Sequence, residues 1–137
     1  MAFKISKVSY FYCSVIDQPG EGHKLLSQLE KSGVNLLAFT AIPVGPERTQ
    51  LTLFPQNPDK LTNLAKQANL SLDGPHLALL VTGDDELGAL AEIHHKLFES
   101  DVNVYASNGV ADGSGEFGYI LHIRPEEFSR ALAALEV

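Results

Sequence analysis

The sequence is poor in cysteine and in basic residues, and it has no long apolar run. Its single cysteine, Cys13, excludes an intrachain disulfide and a cysteine-rich metal framework. Lys and Arg number 10 against 17 Asp and Glu, for a formal net charge of −7. This balance argues against nucleic acid or an anionic membrane as a partner, because both bind clustered basic side chains. No segment approaches the ~20 apolar residues of a membrane helix, and the first residues lack a signal peptide's apolar run. We therefore expect a cytoplasmic protein.

Catalytic and metal-binding patterns are missing as well. His94 and His95 would point about 100° apart on a helix, so they cannot hold one metal ion from the same face. Ser14, Ser107 and Ser114 lack the sequence context of a nucleophile elbow. The sequence therefore predicts no catalytic residue, no metal site and no cofactor.

What the sequence does contain is an internal repeat with a period of 68 residues. Residues at the turn and along the helix that follows it recur 68 positions later: Asp17 as Asp85, Gly20 as Gly88, Leu29 as Leu97, Val34 as Val102, and Asn35 as Asn103. A fixed period indicates a duplicated unit. The Asp-Gly-Pro cluster near residue 74 predicts the boundary, which gives repeats at 1–74 and 75–137. Units this small bury little surface alone, so we expect them to pack together or to associate with other copies.

Hydrophobic periodicity predicts the same order of elements in both repeats. In the first repeat it predicts strands at 8–16, 34–42, 49–54 and 70–72, with helices opening near Pro19 and Pro58. In the second it predicts strands at 76–82, 102–107 and 117–123, with helices after Asp85 and from Pro125, and a fourth strand that is short or missing. The order βαββαβ predicts an α+β, ferredoxin-like fold, in which two helices cover one face of an antiparallel sheet.

The first strand-to-helix turn reads Asp17-Gln18-Pro19-Gly20, and the helix that follows ends in Gly33-Val34-Asn35. Together with the duplication, these motifs resemble the ACT domain family over nearly the whole chain. The resemblance implies a regulatory protein without catalytic activity, which binds a small ligand, usually an amino acid, at an interface between ACT units. It also implies units paired into one continuous eight-stranded sheet. With no enzyme domain attached, the chain resembles a stand-alone tandem ACT protein.

The residues of the turn support a ligand on physical grounds too. A helix N-terminus offers unpaired N–H groups and a partial positive charge, which suit a carboxylate. The aspartates could pair with an ammonium group, and the asparagines with either end of a zwitterion. The expected ligand-binding residues are Asp17, Gln18, Pro19, Gly20, Asn35, Asp85, Leu87, Gly88 and Asn103. Helix capping would also explain the two aspartates.

Three hypotheses follow from the sequence. The first is an allosteric regulator that binds an amino acid, forms a homo-oligomer such as a dimer, and acts on a partner enzyme or transporter. The second is a protein–protein interaction module that docks a partner enzyme without a small ligand. The third is a small enzyme on a ferredoxin-like dimer, which would need a cleft with a coupled acid–base pair.

Overall fold

The computed structural model describes residues 3–84 and 88–137. These residues form six strands and four helices. In chain order they are β1 (Phe3–Ile16), α1 (Glu21–Lys31), β2 (Leu36–Pro43), β3 (Arg48–Pro55), α2 (Pro58–Ala68), β4 (Asp73–Asp84), α3 (Ala89–Glu99), β5 (Val104–Ala111), β6 (Glu116–Ile123) and α4 (Pro125–Leu135). The chain divides into an N-terminal unit, Ser9–His76, and a C-terminal unit, residues 3–8 with Leu77–Val137.

The N-terminal unit is a sheet covered on one face by α1 and α2. Its strands lie in the order β2-β3-β1, with the start of β4 beside β1, and β3 pairs antiparallel with both β1 and β2. Alternating residues of β1 and β3 point to the helices because successive strand side chains face opposite ways. The buried core that results is Phe11, Cys13, Leu25, Leu29, Val34, Leu51, Leu53, Leu61 and Leu64. The predicted helices on one face are confirmed for this unit.

The C-terminal unit repeats this plan with α3 and α4. Its strands lie in the order β4-β6-β5, and residues 3–8 of β1 lie on the other side of β4. The buried core is Leu79, Val81, Ile93, Leu97, Val102, Tyr119, Leu121, Ile123, Phe128, Ala131 and Leu135. Phe3 and Ile5 pack against it. The start of the chain is therefore part of the C-terminal unit.

The fourth strand of each unit differs from the prediction. Residues 70–72 have no regular secondary structure, and the first residues of β4 take the fourth place in the N-terminal unit. In the C-terminal unit the fourth strand is not missing, because residues 3–8 supply it. The strands β1 and β4 are 14 and 12 residues long, so each contributes to both units. The described residues accordingly form six strands where eight were expected, and the expected boundary near residue 74 lies inside β4.

Candidate functional site

The first strand-to-helix turn is held by the backbone. The N–H of Asp17 donates to the Glu47 carbonyl oxygen at 2.8 Å, and the N–H of Gln18 donates to the Ile16 carbonyl oxygen at 2.9 Å. Gly20, with φ of 91°, is the N-cap of α1, and the helix begins at Glu21. The prediction that Asp17 caps the helix was therefore wrong, and Pro19 precedes the helix. A left-handed residue at the cap leaves Asp17 too far back along the chain to reach the first helical N–H groups.

The two turns have the same backbone conformation at their glycines. Gly88 is the N-cap of α3 with φ of 85°, close to the value at Gly20. A Cβ added at either position would meet no atom within 4 Å. Glycine is needed there because other residues rarely adopt a left-handed conformation, and not to relieve crowding. Asp85 and Leu87, expected in the second site, lie outside the described residues.

The helix ends are also repeated, as the sequence predicted. Gly33 has φ of 71° after α1, and Asp101 has φ of 57° at the matching place after α3. Aspartate is among the few residues that tolerate this left-handed region. The first helix of each unit thus has similar backbone conformations at both ends.

A cavity of about 440 Å³ lies beside the first turn, and we call it the first crevice. Its polar lining residues are Asp17, Gln18, Glu21, His23 and Thr49. Its apolar lining residues are Val15, Ile16, Leu26, Phe39, Ala41 and Leu51, and Gly22 completes the wall. This volume falls in the range of small-molecule sites, about 300–1,000 Å³.

The start of α1 leaves hydrogen-bonding capacity at the first crevice. Within the described part of the chain, no side chain caps this helix. The Gln18 side-chain amide donates instead to Glu21 Oε1 at 2.9 Å. First-turn N–H groups have no partner within their own helix and carry a partial positive charge. The crevice therefore offers backbone donors next to two carboxylates, those of Asp17 and Glu21.

The predicted Asn35 does not join the turn residues. It follows the far end of α1, about 16 Å away along an 11-residue helix. Its side-chain amide donates to Gln56 Oε1 at 3.0 Å, and it lines a separate cavity of about 450 Å³. The structure thus separates this expected ligand contact from Asp17, Gln18, Pro19 and Gly20.

Asn103 occupies the same place in the C-terminal unit. It lines a cavity of about 280 Å³ after α3, and its backbone N–H donates to Glu127 Oε1 at 3.1 Å. Arg130 closes this region by donating to the carbonyl oxygens of Ser100 and Asp101 at 2.9 and 2.8 Å. Side chains of the protein therefore already satisfy the polar groups around Asn103.

The place that matches the first crevice in the C-terminal unit, here the second crevice, has different side chains. Leu51 is replaced by Tyr119 and Leu26 by His94, each 68 positions later. The Tyr119 hydroxyl and His94 Nε2 share a hydrogen bond of 2.6 Å, so these side chains bridge β6 and α3. Tyr119 is only 8% exposed. Gly109 pairs with Tyr119 across the two strands, and a Cβ added to Gly109 would lie 3.0 Å from the Tyr119 ring.

The apolar wall of the first crevice was missed in the sequence. The helical spacing of Leu25, Leu26 and Leu29 predicts that Leu26 faces the core, yet it is 40% exposed and lines the cavity. A signal was present, because aligning the repeats places Leu26 against His94 and Leu51 against Tyr119. Side chains that only fill a core seldom change from aliphatic to polar aromatic between copies of one unit.

Titratable groups give no sign of a reactive centre. Cys13 is buried as predicted, and burial raises the pKa of its thiol. Burial also lowers the pKa of His122. Among the described residues, no three His, Cys, Asp or Glu side chains come close enough together to hold a metal ion. No helix formed by these residues has the length and apolar character needed to cross a membrane.

No protein-family model matches the sequence, and no curated protein matches it. Solved structures nevertheless share its architecture. A protein from Bacteroides thetaiotaomicron matches with a TM-score of 0.81 and 14% identity, over 96% of this chain and 88% of that one. The ligand-free regulatory subunit of aspartate kinase from Thermus thermophilus matches with a TM-score of 0.60 and 17% identity, over 99% and 95%. The corresponding subunit from Thermus flavus matches with a TM-score of 0.57 and 14% identity, over 99% and 95%. The chain therefore has the ACT fold of these regulatory subunits, as its two turns indicated.

Proposed function

We propose that this chain is a regulatory protein that binds a free amino acid in the first crevice and has no catalytic activity. The supporting observation is the crevice itself, about 440 Å³, which lies between an uncapped helix start and an apolar wall. The shared fold with regulatory subunits of aspartate kinase supports a regulatory role. The ligand would act by favouring one of two arrangements of the protein, through its different affinity for each.

The turn residues would recognise the two charged ends of the amino acid. Backbone N–H groups in the first turn of α1 would receive the carboxylate. Asp17 would pair with the ammonium group, and Gln18 would add a hydrogen bond. Pro19 and Gly20 would shape the turn and keep the approach to the backbone open. Asp17 and Gln18 line the crevice, and Pro19 and Gly20 connect them to the start of α1.

The remaining expected contacts receive different roles. In the C-terminal unit, Gly88 would serve the turn and Asn103 the packing after α3, because the backbone N–H of Asn103 already donates to Glu127 Oε1. Asn35 would reach a ligand only in a neighbouring copy of the chain, at an interface between ACT units. A homodimer of this kind, and a partner enzyme or transporter that reads the ligand, complete the proposal.

Thermal denaturation with each of the twenty amino acids tests the proposal. A ligand at 100 times its Kd stabilises the folded state by about 2.7 kcal/mol, which raises Tm by several degrees. The critical variant is Gly22→Leu, which copies Leu90 from the second repeat. Gly22 lines the crevice, and a Cβ added there would meet no atom within 4 Å, so the backbone leaves room for a larger side chain at the cavity wall.

The matched control is Gln28→Leu, on the same helix but away from the crevice. We expect Gly22→Leu to abolish the ligand-induced rise in Tm and Gln28→Leu to retain it. Ligand stabilisation that survives in both variants would place the site elsewhere, and no stabilisation by any amino acid would refute the proposal.

The second candidate function is a docking module for a partner protein. It is favoured by large apolar side chains of the N-terminal unit that stay exposed, among them Leu26, Phe39 and Ile42. If the chain is a docking module, no amino acid should raise its Tm. Phe39→Ser should weaken the association of the chain with the partner protein, measured by analytical ultracentrifugation. Association that is unaffected by Phe39→Ser would count against it.

A further inference from the structure

The walls of the first crevice differ in chemistry from one end to the other. The polar lining residues come mostly from the short segment 17–23, which is the turn and the start of α1. The opposite wall is formed by β2 and β3, where Ala41 pairs with Leu51 and Phe39 with Leu53. Leu53 and Leu51 are core residues beneath the helices, so their partners Phe39 and Ala41 face the same side of the sheet.

This layout fixes how an amino acid would lie. With its carboxylate and ammonium at the turn, its side chain would extend along Leu26, Phe39 and Leu51. Leu26 lies farther along α1 than the Glu21 and Gly22 of the mouth, so the cavity becomes more apolar away from the turn. The side chain of the ligand would therefore be surrounded mainly by carbon.

The charges of the crevice narrow the choice further. Among the described residues that line it, none is Lys or Arg, whereas Asp17 and Glu21 are both acidic. An acidic side chain would lie along the apolar wall, where no Lys or Arg of these lining residues offsets the loss of its hydration. A basic side chain would lose hydration against the apolar wall, which is costly without a partner there.

We infer that the ligand is an amino acid with an apolar side chain. This inference rests on the proposed function and adds its specificity. The apolar wall selects by burying the side chain, and the polar turn provides the part of recognition common to all amino acids.

Isothermal titration calorimetry of the full chain tests the inference. The probes are leucine, isoleucine, valine, methionine and phenylalanine, compared with aspartate, glutamate, lysine, arginine and threonine. We expect the tightest apolar amino acid to bind at least about tenfold more strongly than any of the second group, since each carbon contact in such a pocket contributes about that much. Equal or tighter binding of a charged amino acid or of threonine would overturn the inference.

A pair of variants shows whether that preference comes from the wall. Leu26→Lys places a cation over the cavity, and Leu37→Lys makes the same change on β2 at a side chain that is equally exposed but does not line it. We expect Leu26→Lys to weaken apolar amino acids at least about tenfold and to improve glutamate, and Leu37→Lys to change neither. Equal effects of both variants would overturn the role of the wall.

Failure of the inference and failure of the proposed function can be told apart. A charged amino acid that binds and is lost in Gly22→Leu leaves the site standing and overturns only its specificity. Absence of binding by all twenty amino acids, in the wild-type chain as in the variants, overturns both.

Discussion

The turns that begin α1 and α3 share the backbone conformation of their glycines, but the side chains behind them differ. Next to Gly20, Leu26 and Leu51 line a cavity of about 440 Å³. At the matching place in the C-terminal unit, Tyr119 and His94 are joined by a hydrogen bond across that space. The described residues at the two matching places therefore differ in chemistry, with Leu26 and Leu51 in one unit and His94 and Tyr119 in the other. The side chains behind the turn carry the distinction.

The difference between the two crevices is tested most directly by introducing the side chains of the second crevice at the matching positions of the first. The variant Leu26→His, Ala41→Gly, Leu51→Tyr reproduces the residues at 94, 109 and 119. We expect it to fold, because Gly opposite the new Tyr provides the clearance that Gly109 gives Tyr119. Ligand binding measured by calorimetry should fall by at least about 100-fold, since two apolar contacts and the cavity are lost together.

The reciprocal change provides the control. His94→Leu, Gly109→Ala, Tyr119→Leu in the C-terminal unit should leave binding at the first crevice within about twofold. Binding that fell equally in both triple variants would show that general destabilisation, and not filling of the first crevice, is responsible.

The next largest effect is the loss of free energy of unfolding when the Tyr119 side chain of the second crevice is removed. Tyr119→Ala should lower the free energy of unfolding by about 3 kcal/mol, because it deletes a buried ring and leaves His94 without its partner. Leu26→Ala should cost less than about 1 kcal/mol, because that side chain is 40% exposed. Urea denaturation followed by circular dichroism measures both, and similar costs would contradict the difference between the crevices.

Replacing the N-cap glycine of α1 or of α3 should have a smaller effect on the free energy of unfolding, and one that is equal in the two units. Gly20→Ala and Gly88→Ala should each lower the free energy of unfolding by about 1 kcal/mol, because alanine is strained in the left-handed conformation. Gly118→Ala is the control, since its Cβ also meets no atom within 4 Å and its φ lies outside that region. Unequal costs at positions 20 and 88 in the same denaturation experiment would show that the turns differ after all.

The smallest expected effect concerns pH. His122 occupies the position of Phe54, and burial lowers the pKa of His122 below its usual 6.5. The unfolded chain then binds the proton more readily, so the contribution to stability is complete above about pH 6.5 and is lost as pH falls towards the folded pKa. Urea denaturation at pH 7.5 and 5.5 should show a smaller loss for His122→Phe than for the wild type, and identical losses would contradict the burial effect.

Much of the fold could be predicted from the sequence because its signals are local. The alternation of β1 and the apolar stripes of the helices can each be recognised within a short stretch, and the period of 68 residues shows the same order of elements twice. The fourth strand of the C-terminal unit was predicted to be short or missing. It was overlooked because its residues, 3–8, lie far from the rest of that unit in the chain. No local pattern shows that one long strand will serve two units.

The candidate site was predicted less well, for a related reason. Asp17 to Gly20 were recognised from their motif, and the structure places Asp17 and Gln18 at a cavity. Asn35 was grouped with them, although α1 holds it at the other end. The apolar wall was not foreseen, because whether Leu26 and Phe39 border a core or a cavity depends on packing between elements distant in sequence.

The strand β1 has a consequence for synthesis on the ribosome. Everything that Ser9–His76 needs has been translated well before the last helix exists, so this unit can close early. Phe3 and Ile5 precede this unit, but they pack against a core formed by residues 79–135, which are translated after it. The long separation in sequence between these contacts makes that step intrinsically slow.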